Sequence, residues 1–169
     1  SNSAAVVIGA MIVAPLMDPI LSLAFALSIS NNKLAKRSLL TVVIGVLTVI
    51  TTSALLASLL DVSEVNREMT SRTAPNLIDL GIAVAAAVAG SFSMTRERLS
   101  NSLAGVAVAV ALVPPLCVCG IGLSMGKEVV AVFGRGTVAG ITNQISEGSF
   151  LLFLANLIGI TVASLFVFL

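Results

Sequence analysis

The sequence predicts an all-α fold, a polytopic transmembrane helical bundle of about five spans, and three observations support this. Hydrophobic residues make up 57% of the 169 residues, charged residues 10%, and the mean hydropathy is +1.12. Soluble domains carry about 25% charged residues. Five long apolar segments follow one another along the chain, and a short motif with a mid-segment proline recurs. An exterior with so little charge must face an apolar medium, so the expected partner is the lipid bilayer.

The apolar segments each approach the roughly 20 residues that a helix needs to cross the hydrocarbon core. They run over about 4–30, 39–60, 75–94, 103–125 and 150–169. Five of the nine Lys and Arg residues lie in the loops 31–37 and 95–100. Because basic loops stay cytoplasmic, these two loops are predicted to be cytoplasmic and Ser1 external, in a multi-pass protein of the inner (plasma) membrane.

The interval 126–149 is polar and rich in glycine, so it is not predicted as a span. Two interpretations stay open for it. It is either an interfacial or re-entrant connection, or a solvated loop that carries a short amphipathic helix.

Composition also excludes several chemistries. The chain has no His, which excludes a Ser-His-Asp triad and imidazole metal ligands. Its two cysteines lie in an apolar run without partners for a metal site, and its net charge of +1 provides no basic surface for nucleic acid. We therefore expect no enzyme, no cofactor, no metal and no nucleic acid. Trp and Tyr are absent, so we expect a homo-oligomer or a larger partner to cover part of the perimeter.

An internal repeat relates the two ends of the chain. The triplet Ser-Asn-Ser occurs at 1–3 and at 100–102, and each copy is followed by an apolar run that reaches a proline, Pro15 or Pro114. Residues 1–60 then form repeat one, 70–95 a central helix and 100–169 repeat two, in a single transmembrane domain spanning 1–169. Because one span separates the copies, the second is inverted in the membrane, as in many secondary transporters.

Prolines interrupt the first helix of each repeat. Pro15 and Pro19 lie near the middle of the first apolar segment, and Pro114 and Pro115 near the middle of the fourth. Each proline removes a backbone donor and clashes with the preceding turn, so both helices are predicted to be kinked or broken at mid-bilayer. Freed carbonyls and half-helix ends there can face a solute. The alternative is a kink that serves packing only.

Asp18 lies between two of these prolines, inside an apolar segment. An ionised carboxylate at this depth costs several kcal/mol unless it is paired or hydrated. Two interpretations stay open. Asp18 either faces a cavity, where it binds a cation or a proton, or it lies near the interface and caps the half-helix that follows.

A second candidate site is the segment 71–79, which reads Ser-Arg-Thr-Ala-Pro-Asn-Leu-Ile-Asp. Thr73 shortly before a proline at the first helical turn marks a helix start, whose unsatisfied N–H groups attract anions. With Arg72 and Asn76 beside them, these groups form a candidate anion site. Asp79 lies about one turn into the helix, and the alternative is that it neutralises Arg72 in an internal ion pair.

Narrow stripes of small and polar residues also line the predicted spans. Such stripes let helices approach closely and form hydrogen bonds with each other, so packing is the first interpretation. A water-lined path could use Thr48, Thr52 and Asn156.

Three of these runs, at 3–17, 71–80 and 105–116, carry a resemblance to a known family. They resemble the uncharacterised hydrophobic-domain family of prokaryotic multi-span membrane proteins, a domain of unknown function. The similarity covers nearly the whole chain. The resemblance implies an integral membrane domain with several spans, often joined to a soluble domain, and it implies no substrate.

These observations predict a transporter or channel for a small solute or ion, with an anion favoured. Its site is expected where the breaks at Pro15 to Pro19 and at Pro114 to Pro115 meet the start of the third helix. The alternative is a non-transporting membrane scaffold or sensor that acts through oligomerisation.

Overall fold

The computed structural model describes residues 16–60, 69, 77–95, 102–125 and 141–169, and for residues 79, 102–110 and 141–144 it describes the backbone alone. These residues form five α-helices. They are α1 (Met17–Ser28), α2 (Asn32–Leu59), α3 (Leu77–Met94), α4 (Ser102–Ser124) and α5 (Ile141–Phe168). The described residues contain no strand. The all-α part of the predicted fold class is confirmed.

The helix bounds follow the apolar segments closely for α3 and α4, but α2 begins earlier than predicted. It starts at Asn32, so the basic residues of the predicted loop 31–37 lie in its first turns. Asn31 is the N-cap, and its side chain accepts a hydrogen bond of 3.1 Å from the Leu34 N–H. Such a cap satisfies an otherwise unpaired donor and lets a helix begin on polar residues. The charges therefore mark the end of a helix rather than a loop.

α5 also begins before its predicted start at 150. Residues 141–149 were predicted to belong to a connection, but they form the first turns of this helix. Ile145 and Ser149 are buried there, whereas Glu147 is exposed. Packing of one face against the bundle stabilises a helix whose composition alone does not predict it, and Gly148 is tolerated within it. Residues 126–140 lie outside the described residues.

α4 and α5 run antiparallel at the centre of the bundle, and α3 packs against both. Ala111 contacts Asn156, while Gly122, further along α4, lies beside Ser146, which precedes Asn156 on α5. α2 packs on α4, and α1 packs on both α2 and α5. The pair α1 and α2 lies within the predicted repeat one, residues 1–60, and the pair α4 and α5 lies within the predicted repeat two, residues 100–169.

Helices α1, α3 and α5 end at the same end of the bundle, where α2 begins. The rings of Phe25 and Phe168 meet edge to face, with centroids 5.6 Å apart. Met94 and Thr95, at the end of α3, line a cavity together with Phe168 and with Leu34 of α2. Successive helices therefore run in opposite directions along the chain.

Two of the described helices are long and apolar enough to cross a membrane: Asn32–Leu59 and, within α5, Ile145–Phe168, each with a mean hydropathy of 2.4. α1 has 12 residues, about 18 Å of helix, which is roughly half the hydrocarbon thickness.

The exterior of the bundle is apolar and several buried side chains are polar. On α2 alone, the exposed large hydrophobic residues are Leu39, Leu40, Val43, Ile44, Leu47, Leu55, Leu56 and Leu59. The buried polar residues of the described part are Ser38, Ser53, Ser91, Ser146, Ser149, Asn156 and Ser164. In water this distribution would expose a large hydrophobic surface that is prone to aggregation.

The prediction of a break at Pro114 and Pro115 in α4 is wrong. The helix continues through Pro114 and Pro115 without interruption. A proline removes its own donor and crowds the preceding turn, but the N–H groups of its neighbours can still form helical hydrogen bonds. Leu112 and Leu116, on either side, are fully buried and hold the helix in the core. The prolines thus change the bonding of α4 and not its continuity.

Pro19 does not interrupt a helix either. It is the third residue of α1, which begins at Met17. In the first turn a missing N–H has no helical partner to lose, so proline is tolerated there. α1 starts two residues after Pro15, which itself lies outside the described residues.

Candidate functional site

The start of α1 and the prolines of α4 meet at mid-height in the bundle. A Cβ atom added at Gly45, the midpoint of α2, would lie 2.5 Å from a methyl carbon of Leu16. On α4, which runs parallel to α2, Gly120 lies beside Ile50, and this places Ala111 at about the level of Gly45. Leu16 and Ala111 belong to the same buried cluster. The tertiary structure therefore brings Leu16, which follows Pro15 in the chain, close to the part of α4 that contains Pro114 and Pro115.

A hydrogen bond between α5 and α4 compensates for one proline. In a regular helix the Ala111 carbonyl would accept from the backbone N–H of residue 115, which is Pro115 and has none. The Asn156 amide group Nδ2 donates to this carbonyl instead, at 2.9 Å. Asn156 is 1% exposed. α5 thus supplies the donor that α4 lacks.

The other end of the Asn156 amide has no partner. Its Oδ1 atom is buried and accepts no hydrogen bond among the described residues. Because the Ala111 carbonyl can only accept, the amide nitrogen must face it and the oxygen is the atom left over. A buried polar atom without a partner costs about 1–3 kcal/mol.

Further acceptors and hydroxyls lie elsewhere on α4 and α5 and on α3. Pro114 deprives the Val110 carbonyl of its helical donor, one residue before Ala111. Buried hydroxyls without a partner in the described part belong to Ser91, Ser149 and Ser164. Ser149 lies seven residues before Asn156 and therefore on the same face of α5. Of these groups, the Asn156 Oδ1 atom beside the Ala111 carbonyl forms an acceptor-rich position. Such a position suits a water molecule, a solute that donates hydrogen bonds, or a cation.

Asp18 lies at this level but on the outside. It is in the first turn of α1 and exposed. The N-cap position belongs to Leu16, and no side chain caps the helix there. A carboxylate in a first turn interacts favourably with the helix dipole. Asp18 is therefore accessible at mid-height.

The remaining predicted site residues divide into three groups. Pro114 is half-buried and Pro115 buried, both within α4. Asp79 is the third residue of α3, where only the backbone is described. Residues outside the described part are Pro15, Arg72, Thr73 and Asn76. The described residues contain no group of three His, Cys, Asp or Glu side chains that could hold a metal ion.

The hydrogen bond between Asn156 and Ala111 was not predicted from the sequence. One half of the signal was present, because a proline at 115 identifies the carbonyl four residues earlier as the one that loses its donor. The other half was not, since Asn156 is 45 residues away along the chain. Asn156 was noted only as a residue that a water-lined path could use.

The described residues define an all-α protein with an apolar exterior and two helices suited by length and composition to crossing a membrane. Within that class, the chain belongs to the family of the domain of unknown function DUF389, whose model matches residues 11–162. The family resemblance predicted from the sequence is confirmed.

One curated relative is the uncharacterized protein MJ0678 of Methanocaldococcus jannaschii. It is 32% identical over 167 residues, which cover 99% of this chain and 47% of the relative. The chain thus spans about half the length of that protein. No solved structure matches the chain.

Proposed function

We propose that this protein is a membrane transporter or channel for a small solute or ion, with its site at mid-height between α1, α4 and α5. The observation that carries the proposal is the buried Asn156 Oδ1 atom, which has no hydrogen-bond partner among the described residues. It lies next to a carbonyl that has lost its helical donor to a proline. Protein interiors rarely leave such atoms unsatisfied. Transport sites commonly use freed carbonyls at helix irregularities near the bilayer midplane.

The proposal includes five membrane spans, arranged as an inverted repeat of two spans, a central span and two spans. The apolar exterior and the alternating directions of successive helices support it, because each crossing of a bilayer reverses the chain. α4 has 23 residues and α3 has 18, close to the length that a crossing requires.

Cysteine labelling tests the five-span arrangement. In a variant with Cys117→Ala and Cys119→Ala, single cysteines are placed at the exposed positions 32, 95 and 58 by Asn32→Cys, Thr95→Cys and Ser58→Cys. In sealed vesicles, a membrane-impermeant maleimide is expected to label positions 32 and 95 from one side and position 58 from the other. Labelling of 32 and 95 from opposite sides would contradict the arrangement.

The proposed site has two chemically distinct parts. Oxygen acceptors around Asn156 suit a donor group or a cation, whereas Arg72, Thr73 and Asn76 would bind an anion at the start of α3. Asp79 would pair with Arg72 or carry a proton, and Asp18 would bind a proton or a cation. A solute with an anionic group, accompanied by a proton or a cation, satisfies both parts.

Flux into proteoliposomes tests the function. The full chain is reconstituted and assayed with a panel of small labelled anions and cations, beside Arg72→Ala and a Lys36→Ala control that also removes one positive charge. We expect uptake of at least one anion, reduced about tenfold or more by Arg72→Ala and unaffected by Lys36→Ala, since tenfold corresponds to about 1.4 kcal/mol of lost interaction. Equal flux in all three proteins would remove Arg72 from the mechanism.

The alternative function is a scaffold or sensor that acts through a homo-oligomer. It is favoured by an exposed face of small residues on α3, at Gly81, Ala85 and Ala89, a spacing that lets membrane helices approach closely. A reconstituted protein that forms a stable oligomer and transports nothing on the panel would support this alternative.

A further inference from the structure

A cavity of about 300 Å³ lies at the end of the bundle where α1, α3 and α5 end. Its walls come from four helices and are mostly apolar: Leu21, Phe25, Leu34, Met94 and Phe168, with the polar residues Ser22 and Thr95. Phe25 and Met94 are 45% and 44% exposed, so the cavity opens to the outside of the bundle. An open apolar cavity of this size is favourable only when an apolar group fills it.

Two basic residues of α2 lie close to the wall residue Leu34 of the cavity. Lys33 precedes the wall residue Leu34, Arg37 follows it by one helical turn, and both are exposed. The described acidic side chains lie elsewhere: Asp18 is at mid-height, and Glu147 is near the opposite end, in the first turns of α5. This end of the described bundle therefore presents cations beside an apolar cavity, without a neighbouring acid.

We propose that the cavity holds an acyl chain of one anionic phospholipid, whose phosphate pairs with Lys33 and Arg37. The apolar walls match the chain and the two cations match the phosphate, so the occupant must be an amphiphile with a negative head. Thr95 is a polar wall residue, but its hydroxyl already donates to the Phe92 carbonyl at 2.7 Å. Its donor therefore needs no polar group of a ligand. The proposal rests on the membrane arrangement proposed above, and goes beyond the transport function.

Native mass spectrometry of the full chain in micelles tests the lipid site. The probes are phosphatidylglycerol and phosphatidylcholine with identical acyl chains, each added at equal concentration. One phosphatidylglycerol is expected to remain bound in preference to phosphatidylcholine. Each basic residue near a phosphate contributes about fivefold in affinity, so Lys33→Gln with Arg37→Gln should reduce the preference more than tenfold. Glycerol phosphate, which has no acyl chain, should not displace the lipid.

Two further variants separate the cavity from the charge. Ser22 lines the cavity, and Ser22→Phe should fill it and abolish retention of both lipids, whereas Ser58→Phe, on an exposed position at the opposite end of α2, should change neither. Equal retention of the two lipids by the unaltered protein, displacement by glycerol phosphate, or normal retention in Ser22→Phe would overturn the proposal. The measurement does not depend on flux, so an unaltered protein that transports a solute but retains both lipids equally would overturn the lipid site alone.

Discussion

Replacing Gly120 with alanine is expected to lower the free energy of unfolding by about 2–3 kcal/mol, in the upper part of the range of about 1–3 kcal/mol that overpacking a core usually costs. A Cβ atom at this position would collide with the Ser53 hydroxyl, lie 2.5 Å from the Ile50 carbonyl oxygen and lie 3.2 Å from the Ala54 nitrogen. The hydroxyl can rotate away, but the two backbone atoms cannot. α2 and α4 would have to separate along their whole contact.

Gly81→Ala is the matched control, because the same change meets nothing within 4 Å. There the alanine should stabilise the protein by up to about 1 kcal/mol, through the higher helix propensity of alanine. Chemical unfolding in mixed micelles measures both variants. Equal stability of the two variants would show that α2 and α4 are not in close contact at Gly120.

Replacing Asn156 with leucine is expected to reduce transport by at least tenfold while the protein stays folded. Leucine has the same branched heavy-atom skeleton as asparagine. It removes both the donor to the Ala111 carbonyl and the Oδ1 atom that has no partner among the described residues. Losing the hydrogen bond to Ala111 costs about 1–3 kcal/mol, but eliminating a buried oxygen without a partner offsets a similar amount. A large loss of flux would therefore reflect the site and not unfolding.

The control is Ser164→Ala, on the same helix and eight residues further on. It removes a buried hydroxyl that has no partner in the described part of the chain. This variant should transport normally and be as stable as the unaltered chain or slightly more stable. Initial rates of uptake and the midpoint of chemical unfolding are measured for both variants. Normal flux in Asn156→Leu, or an equal loss in Ser164→Ala, would show that the Asn156 amide is not part of the transport site.

The sequence predicted the helices well where hydropathy and length decide the outcome. α3 and α4 lie within two residues of their apolar segments, because a long apolar run without charges has few alternatives to a helix. The starts of α2 and α5 were missed, since both helices begin on polar residues. The cap at Asn31 and the burial of Ile145 extend them, and only the second depends on tertiary packing.

The candidate site was predicted in part. Pro114 and Pro115 identified where the helical hydrogen bonding of α4 is incomplete. The predicted break does not occur, because the buried residues Leu112 and Leu116 hold the helix in the core. Asn156 donates to the carbonyl that Pro115 leaves without a helical donor, and this role was not predictable from the spacing of residues. A cross-helix hydrogen bond depends on how two helices meet, and hydropathy says nothing about that.

By itself, the sequence determined the class of this protein: helical, apolar, with only 10% charged residues, and a member of its family on motifs that run through nearly the whole chain. These properties follow from local composition. It determines where the backbone can form helical hydrogen bonds and which segments must be kept out of water. Only the tertiary structure decided which polar groups meet. It paired Asn156 with the carbonyl that Pro115 released and left Asp18 exposed at mid-height, because the relative positions of helices are set by side-chain packing between segments far apart in the chain.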